Sequence, residues 1–445
     1  MLRMRKFVRY DRAMGREGDR RQEASSGSTA TRALSTRRTA DRWPYARGVT
    51  RRGDLTVVSD LAFSVNGSDF TVAEFFAGVG LARVALENAG FSVVWANDYS
   101  AKKFAMYAGH FRDSAGSHTF ELGDIGEVSG DQLPTGLAMA WASFPCTDLS
   151  LAGNGNGINE GESKTFWDFT KIIGEMGERA PGVVCLENVP GLATTNGGDD
   201  LRAAVRAMND LGYSVDVLSL DARRFVPQSR ERLFLVCVKS PLIEADTRRV
   251  SALRPESVQF VHREDGLRTH AALLPDPPPY LTTGLVDVIE NMPDDDDRWW
   301  SEDRTVAALD SLSDVQAKRI ALLKQRKRAA YRTGYRRTRK GVAVWEFRED
   351  DVSGCLRTAR GGSSKQAVIK VCDGRVMMRW MTPLEYARLM GAGDYTLGTV
   401  SAPQSIFGFG DAVCVPVVQW IAENYLMPIV TGTGRSFEAE EVARG

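Results

Sequence analysis

Thr71-Val72-Ala73-Glu74-Phe75-Phe76-Ala77-Gly78-Val79-Gly80-Leu81-Ala82-Arg83-Val84-Ala85-Leu86-Glu87-Asn88 is the stretch that decides the fold. Thr71–Phe75 reads as a short apolar strand, residues 77–80 as a glycine turn, and Leu81–Asn88 as a helix stopped by Gly90. A glycine turn between strand and helix lets a ligand approach the backbone at the helix N-terminus. The unit then recurs. Phe91–Ala96 reads as a strand ending at Asn97-Asp98, and Ala101–Gly109 as a helix. Strand-like Leu137–Ser143, helical Phe166–Met176, strand-like Gly182–Leu186 and helical Leu201–Leu211 follow, then strands over Ser214–Leu220 and Leu233–Val238. Strands alternating with helices predict an α/β fold with a doubly wound, parallel sheet.

The alternation stops at Lys239-Ser240-Pro241. Residues 241–373 read as a second, irregular domain holding Pro275–Pro279, the acidic run Asp294–Asp297 and the glycine-rich patch Gly361-Gly362-Ser363-Ser364. Helix-like Thr382–Met390 and Val413–Tyr425 restore the first pattern. The expected layout is therefore one α/β domain over 70–240 and 374–428, an insertion over 241–373, and a tail over 429–445. Residues 1–69 lack hydrophobic periodicity and are rich in Arg, Ser, Thr and Gly. They read as a basic disordered extension: a nucleic-acid-binding arm, an upstream-start extension, or a transit peptide, against which Asp11, Glu17, Asp19 and Glu23 weigh.

The chain has 445 residues, enough for about two or three domains. Hydrophobic residues make up 43% and charged residues 26%, which excludes wholesale disorder, collagen and coiled coil. The apolar runs Gly136–Ala142 and Val413–Val418 are shorter than the roughly 20 residues of a membrane span, and the N-terminus shows no apolar signal region. Cysteines 146, 185, 237, 355, 372 and 414 form no C-x-x-C pair, and His110, His118, His262 and His270 form no ligand cluster. No metal site or disulfide framework is expected, and a reducing, cytoplasmic setting is. Net charge is zero, yet Lys318–Lys340 holds many cations and no acid. This reads as a phosphate-tracking face, with a solvated helix face as the plainer alternative.

The chemistry-bearing residues stand where strands end. Gly78 and Gly80 form the first turn; Asp98 follows the second strand, and Asp124 ends the next. Acids there can accept from ribose hydroxyls, since ligands bind at the carboxyl ends of such strands. Arg83 breaks the full G-x-G-x-x-G, favouring a nucleoside without pyrophosphate, such as S-adenosylmethionine; an ordinary tight turn is the plain alternative. Cys146, in Ser143-Phe144-Pro145-Cys146-Thr147-Asp148-Leu149-Ser150, lies beyond a buried strand and before Gly153, Gly155, Gly157 and Gly161. A nucleophile beside a glycine-rich loop suits a site that closes, although a lone cysteine is also a common core residue. Glu187, in Glu187-Asn188-Val189-Pro190-Gly191, suits a carboxyl of raised pKa facing a ring nitrogen, or a turn cap. Alternation puts Gln228, Arg230 and Arg232 on one face of a strand, as donors to an anion or base carbonyl, or as a plain edge.

Taken in order, FFAGVG, ND, GDI, PCTDLS, ENVPG, QSRER, RWMTPLEYARLMG and FGDAVCVPV resemble the DNA cytosine-5 methyltransferase family from about residue 71 to 428. The resemblance implies a Rossmann-like S-adenosylmethionine-dependent methyltransferase domain with an inserted target-recognition domain. It implies that Phe76 packs on the adenine of the cofactor, Gly78 and Gly80 lie by its methionine moiety, Asp98 holds the ribose, Asp124 meets the adenine amino group, and Pro145 joins the cofactor pocket. Cys146 would be the nucleophile toward cytosine C6, Glu187 would contact N3 and the amino group, and Arg230 and Arg232 the cytosine O2. Two positions depart from the family pattern. Leu81 stands where many members carry another Gly, and Gly410-Asp411-Ala412-Val413 where Gly-Asn-Ser-Val is usual.

The resemblance further implies double-stranded DNA as partner, a restriction–modification or orphan bacterial methylase acting as a monomer, and association with the nucleoid through DNA. A restriction endonuclease sharing its target, without direct contact, is the partner such a system would have. A tRNA cytosine-5 methyltransferase, a catalytically silent DNA-binding relative and a nicotinamide oxidoreductase are the alternatives. The long insertion, the intact Cys146, Glu187 and Arg232, and the incomplete glycine fingerprint count against them in turn.

Overall fold

The computed structural model describes residues 70–112, 118–145, 157–159, 161–241, 249–339, 341–358 and 365–433. Cys146, the extension over 1–69, Gly153 and Gly155, Lys340, residues 359–364 and the tail from 434 lie outside the described residues.

Seven strands form the first sheet: β1 (Thr71–Phe75), β2 (Ser92–Asp98), β3 (Thr119–Leu122), β4 (Met139–Ala142), β5 (Val183–Asn188), β6 (Ser214–Asp221) and β7 (Glu231–Val238). Their order is β3-β2-β1-β4-β5-β7-β6. The first five are parallel, but β7 runs antiparallel to both β5 and β6, which corrects the expectation of a wholly parallel sheet. Strand direction is fixed by long-range pairing: Asn188 lies opposite Leu233, and Asp221 opposite Glu231. The consequence is functional. The N-terminal end of β7 lies on the same edge as the C-terminal ends of β1 to β5.

Helices cover both faces. These are α1 (Leu81–Asn88), α2 (Ala101–His110), α3 (Thr165–Met176), α4 (Gly191–Thr194), α5 (Asp199–Asp210), α6 (Glu256–Arg263) and α7 (Leu285–Val288). Alternation along β1 sends Ala73 and Phe75 to one core with Phe169, Leu201 and Val258. Val72 goes to the other, with Leu86, Met390 and Phe409. Burying each such side chain contributes about 1.5–3 kcal/mol, so the two layers supply most of the driving force. Toward the C-terminus come α8 (Glu302–Asp310), α9 (Asp314–Lys324), α10 (Pro383–Leu389), α11 (Ala402–Asp411), α12 (Val415–Ile421) and α13 (Met427–Thr431). The helical run Ala402–Thr431 is long and apolar enough to cross a membrane by length and composition. Here its side chains Ile406, Phe409, Val418 and Leu426 are buried in the second core.

The insertion is not irregular. It holds a four-stranded antiparallel sheet in the order β11-β10-β8-β9, from β8 (Ala330–Arg339), β9 (Val342–Phe347), β10 (Ala367–Cys372) and β11 (Arg375–Trp380). One face packs on α8 and α9 through Ile320, Trp345, Phe347, Ile369 and Met378. The expected boundary at 373/374 falls in the turn between paired β10 and β11, so the hairpin carries the inserted sheet to Trp380. Residues before β8 are divided as well: Leu253, Leu285 and Val288 belong to the first domain's core.

The acid-free basic segment also reads differently in three dimensions. Acids distant in sequence meet it: Glu349 pairs with Arg319, Asp351 with Arg332, and Glu346 with both Arg337 and Arg339. Lys318, Lys324, Arg326, Lys327, Arg328 and Arg336 remain exposed, which splits the segment between α9, the turn after it and one position of β8.

Candidate functional site

The cofactor half of the site is built on the ends of β1, β2 and β3. Ala77 N–H donates to the Asn97 carbonyl at 2.9 Å, which bends the chain after β1 toward β2. Phe76, Gly78 and Gly80 all take positive φ (57°, 59° and 81°), and Phe76 is half-buried. A Cβ built on Gly80 would stand 2.5 Å from the Phe111 ring and 2.8 Å from Tyr107. Gly80→Ala is therefore expected to destabilise the protein by about 1–3 kcal/mol, read as a lower urea midpoint; an unchanged midpoint would mean that the turn relaxes freely. At Gly78 the nearest atoms to such a Cβ are the Phe76 carbonyl oxygen at 3.9 Å and Lys103 Cδ at 4.0 Å, so the turn is open there.

Asp98, 4% exposed, accepts from Gly78 N and Ser100 N at 2.8 Å each. Burial raises its pKa, opposed by Lys103 and these two N–H groups. Tyr99, next to it, exposes 62% of its surface, an aromatic face beside a carboxylate. Asp124 is exposed and caps the turn Ile125–Glu127 by accepting from Gly126 N at 2.9 Å. Gly123 N–H reaches the Asp98 carbonyl at 3.2 Å, which keeps Asp124 at the same edge. A carboxylate for hydroxyls, an open glycine turn and an exposed ring form a donor set that fits a nucleoside.

The second half is built on β4, β5 and β7. Asn188 donates from Nδ2 to the Phe144 carbonyl at 3.1 Å, and Ser163 Oγ donates to the Pro145 carbonyl at 3.0 Å. These bonds fix the half-buried Pro145 at the end of the β4 segment. Glu187, 7% exposed, pairs with Arg232 Nε at 3.1 Å and receives a hydrogen bond from Ser143. The Trp141 indole N–H, a donor only, takes a lone pair of Ser143 Oγ at 3.0 Å and so turns the hydroxyl proton toward Glu187. Burial pushes the Glu187 pKa up; Arg232, Arg230 and Ser143 pull against it, and Asp411 adds to the rise.

The structure separates Gln228, Arg230 and Arg232, because β7 begins only at Glu231. Gln228 is fully buried; it donates to the Leu389 carbonyl at 2.7 Å and accepts from Leu356 N at 3.0 Å. Arg230, 3% exposed, donates to the carbonyls of Leu356 and Ala412 at 2.8 and 2.6 Å. Both hold the C-terminal helices and the 353–356 segment together, and Arg232 alone of the three meets Glu187. Tyr99, Lys103, Ser143 and Cys355 escaped the sequence reading. Cys355 lies against Arg230 Nη1 at 3.5 Å, with the Arg230 and Arg232 charges working against the effect of its burial. An aromatic beside a strand-end acid was the signal for Tyr99; nothing local marks Ser143 or Cys355.

A family model described as C-5 cytosine-specific DNA methylase matches residues 70–426. The Type II methyltransferase M.HhaI of Haemophilus parahaemolyticus is 26% identical over 365 residues, covering 79% of this chain and 92% of the relative. M.HpaII of Haemophilus parainfluenzae is 25% identical over 374 residues, covering 80% and 89%. Two solved structures, the Entamoeba histolytica methyltransferase EhMeth and S. pombe Dnmt2, superpose with TM-scores of 0.52 and 0.50. They share 13% and 15% identity and cover 82% and 81% of this chain and 99% of theirs, which bears on the fold alone.

Proposed function

This chain belongs to the C-5 cytosine-specific DNA methylase family and is a DNA cytosine-5 methyltransferase, and on that premise we propose that it methylates C5 of a cytosine flipped out of double-stranded DNA, with Cys146 as nucleophile and Glu187 as the acid at N3. The observation that carries this assignment is the Glu187–Arg232 pair, set at the strand edge beside Pro145, the residue before Cys146. A buried carboxyl of raised pKa can hold a proton at N3 near neutral pH. Arg232 engages one carboxyl oxygen through Nε and the Glu231 carbonyl through Nη1 at 2.7 Å, which fixes the guanidinium that would face O2. Arg230 we assign to holding the domains together, not to the base.

S-adenosylmethionine, the cofactor of such methyltransferases, supplies an electrophilic methyl group; Phe76, Gly78, Gly80, Asp98, Tyr99, Asp124 and Pro145 would hold it. The protein's own work is on the ring. The Cys146 thiolate forms a bond to C6, and the C5–C6 electron pair becomes available at C5. Glu187 stabilises the charge gathering at N3, with its other carboxyl oxygen facing the N4 amino group. After C5 carries its methyl group, the C5 proton passes to water; the C5–H electron pair restores the C5–C6 double bond as the C6–sulfur bond breaks and its own pair returns to sulfur. Unstacking the base costs a few kcal/mol, which closure of a loop over it would offset.

The Ser143 hydrogen bond favours ionised Glu187, so removing it raises the Glu187 pKa further. The protonated form is the active one, and activity falls as pH rises through that pKa. Ser143→Ala is therefore expected to move the alkaline limb of the kcat/KM profile to higher pH, with Ser143→Thr restoring it. A limb that stays in place removes Ser143 from this role.

Bisulfite sequencing of DNA from cells making the protein, with labelled methyl transfer to duplex DNA and to tRNA, tests the proposal. Methylation of cytosine in one duplex sequence supports it, and reports the target of a restriction–modification or orphan enzyme. Label entering tRNA alone, or neither substrate, would transfer the assignment to the tRNA or silent-relative reading.

A further inference from the structure

Lys103 stands in the first turn of α2, and Asp411 is the last residue of α11. Their side chains form an ion pair between the two helices. The Lys103 side chain is 15% exposed and that of Asp411 39%, so the lysine is largely covered while the carboxylate reaches the surface. Lys103 Cδ is the side-chain atom nearest to where a Cβ at Gly78 would be, and the Asp98 charge, like that of Asp411, favours the ammonium form. The helices approach closely here. A Cβ on Gly408 would stand 2.7 Å from Val79 Cγ1 and 2.8 Å from Met106 Sδ, and Tyr395 Oη donates to the Val79 carbonyl at 2.8 Å. The Asp411 charge works to raise the pKa of Asp98, Tyr99 and Glu187 alike, so it is felt in both halves of the site.

The inference rests on the reading proposed above and deepens it. A sulfonium has three arms. If the adenosyl arm lies on Asp98 and Tyr99 and the methyl faces the base at Glu187, the amino-acid arm must leave past Gly78, and the cation there is Lys103. That arm carries a carboxylate. We propose that Lys103, held in place by Asp411, binds the carboxylate of the cofactor's amino-acid arm. Asp411 has a second effect. It draws the ammonium away from Asp98, whose remaining lone pairs stay available for ribose hydroxyls. A charge-assisted bond of this kind corresponds to about 10- to 100-fold in affinity.

Calorimetric titration of the full chain tests this with two probes: S-adenosylhomocysteine, which has the amino-acid arm, and 5′-methylthioadenosine, which lacks it. Lys103→Met is expected to weaken S-adenosylhomocysteine about 10- to 100-fold and to change 5′-methylthioadenosine by less than about threefold. Lys103→Arg, which keeps the charge, should retain most of the preference for the longer ligand. Asp411→Asn should weaken both probes, because the freed lysine then competes for Asp98. Equal losses of both probes in Lys103→Met would make the pair a latch between α2 and α11 and overturn the proposal, as would no loss of either. A wild-type protein that binds neither probe would overturn the cofactor reading itself.

Discussion

Cys146→Ser is expected to lower methyl transfer to DNA by on the order of 10⁴-fold or more while S-adenosylhomocysteine binding stays within about threefold. An ordinary cysteine thiol has a pKa of about 8.5, so a few per cent is thiolate at neutral pH, whereas an alcohol is ionised to a vanishing extent. Addition at C6 must precede any gain of nucleophilicity at C5, so the substitution stops the reaction before Glu187 has a charge to stabilise. Tritium transfer from labelled S-adenosylmethionine measures the loss, and calorimetry the retained binding. Activity within tenfold of wild type would remove Cys146 from the nucleophile role. Loss of both activity and binding would instead indicate a damaged fold.

The second large effect concerns stability. Arg379→Met is expected to cost about 3–5 kcal/mol, because it leaves a buried carboxylate without its charge partner. Arg379 and Glu385 are both fully buried, and the guanidinium meets both carboxyl oxygens, one at 2.8 Å. The same carboxylate accepts from Thr382 N at 2.9 Å and Glu290 N at 2.8 Å. One side chain thus caps α10, anchors the end of β11 and ties down the chain at 290. Replacing both partners, Arg379→Met with Glu385→Leu, removes the orphaned charge and should recover part of the loss. Urea unfolding at pH 7 decides it. A single-mutant cost below about 1 kcal/mol would mean that water reaches the pair.

These two residues also show what a linear reading can see. Arg379, Thr382 and Glu385 fall within one short motif, so their grouping was visible although their joint burial was not. The turn at 76–80 was equally legible: glycine, strand and helix signals all lie within eighteen residues, and the element boundaries of β1 and α1 agree with the sequence reading. Direction and pairing were not legible. The reversal of β7 depends on partners at 183–188 and 214–221, which no local pattern encodes. The second sheet was hidden because β8 carries Arg336, Arg337 and Arg339 in place of alternating apolar residues along its exposed half, and Glu346, the partner of Arg337 and Arg339, lies across the strand pair. At the site, strand-end acids announced themselves, whereas Arg230 was grouped with Arg232 by spacing and by the QSRER motif. Burial sends one to backbone carbonyls and the other to Glu187.

The two cores close at different moments in the life of the chain. The layer that packs on α3, α5 and α6 has its last fully buried member at Val261, so it can form while synthesis is still under way. The opposite layer needs Met381 through Leu426. At about 5–20 residues per second, those 165 residues (426 minus 261) leave one face of a finished seven-stranded sheet only partly covered, by α1, α2 and the segments at 253 and 285–289, for roughly 10–30 s on the ribosome. A large apolar face left partly open that long invites association with other nascent chains and with chaperones. Messages that stop before residue 381 would therefore yield a sticky protein that retains every strand of the catalytic sheet, and the cell's burden from premature termination would be aggregation and not merely lost methylation.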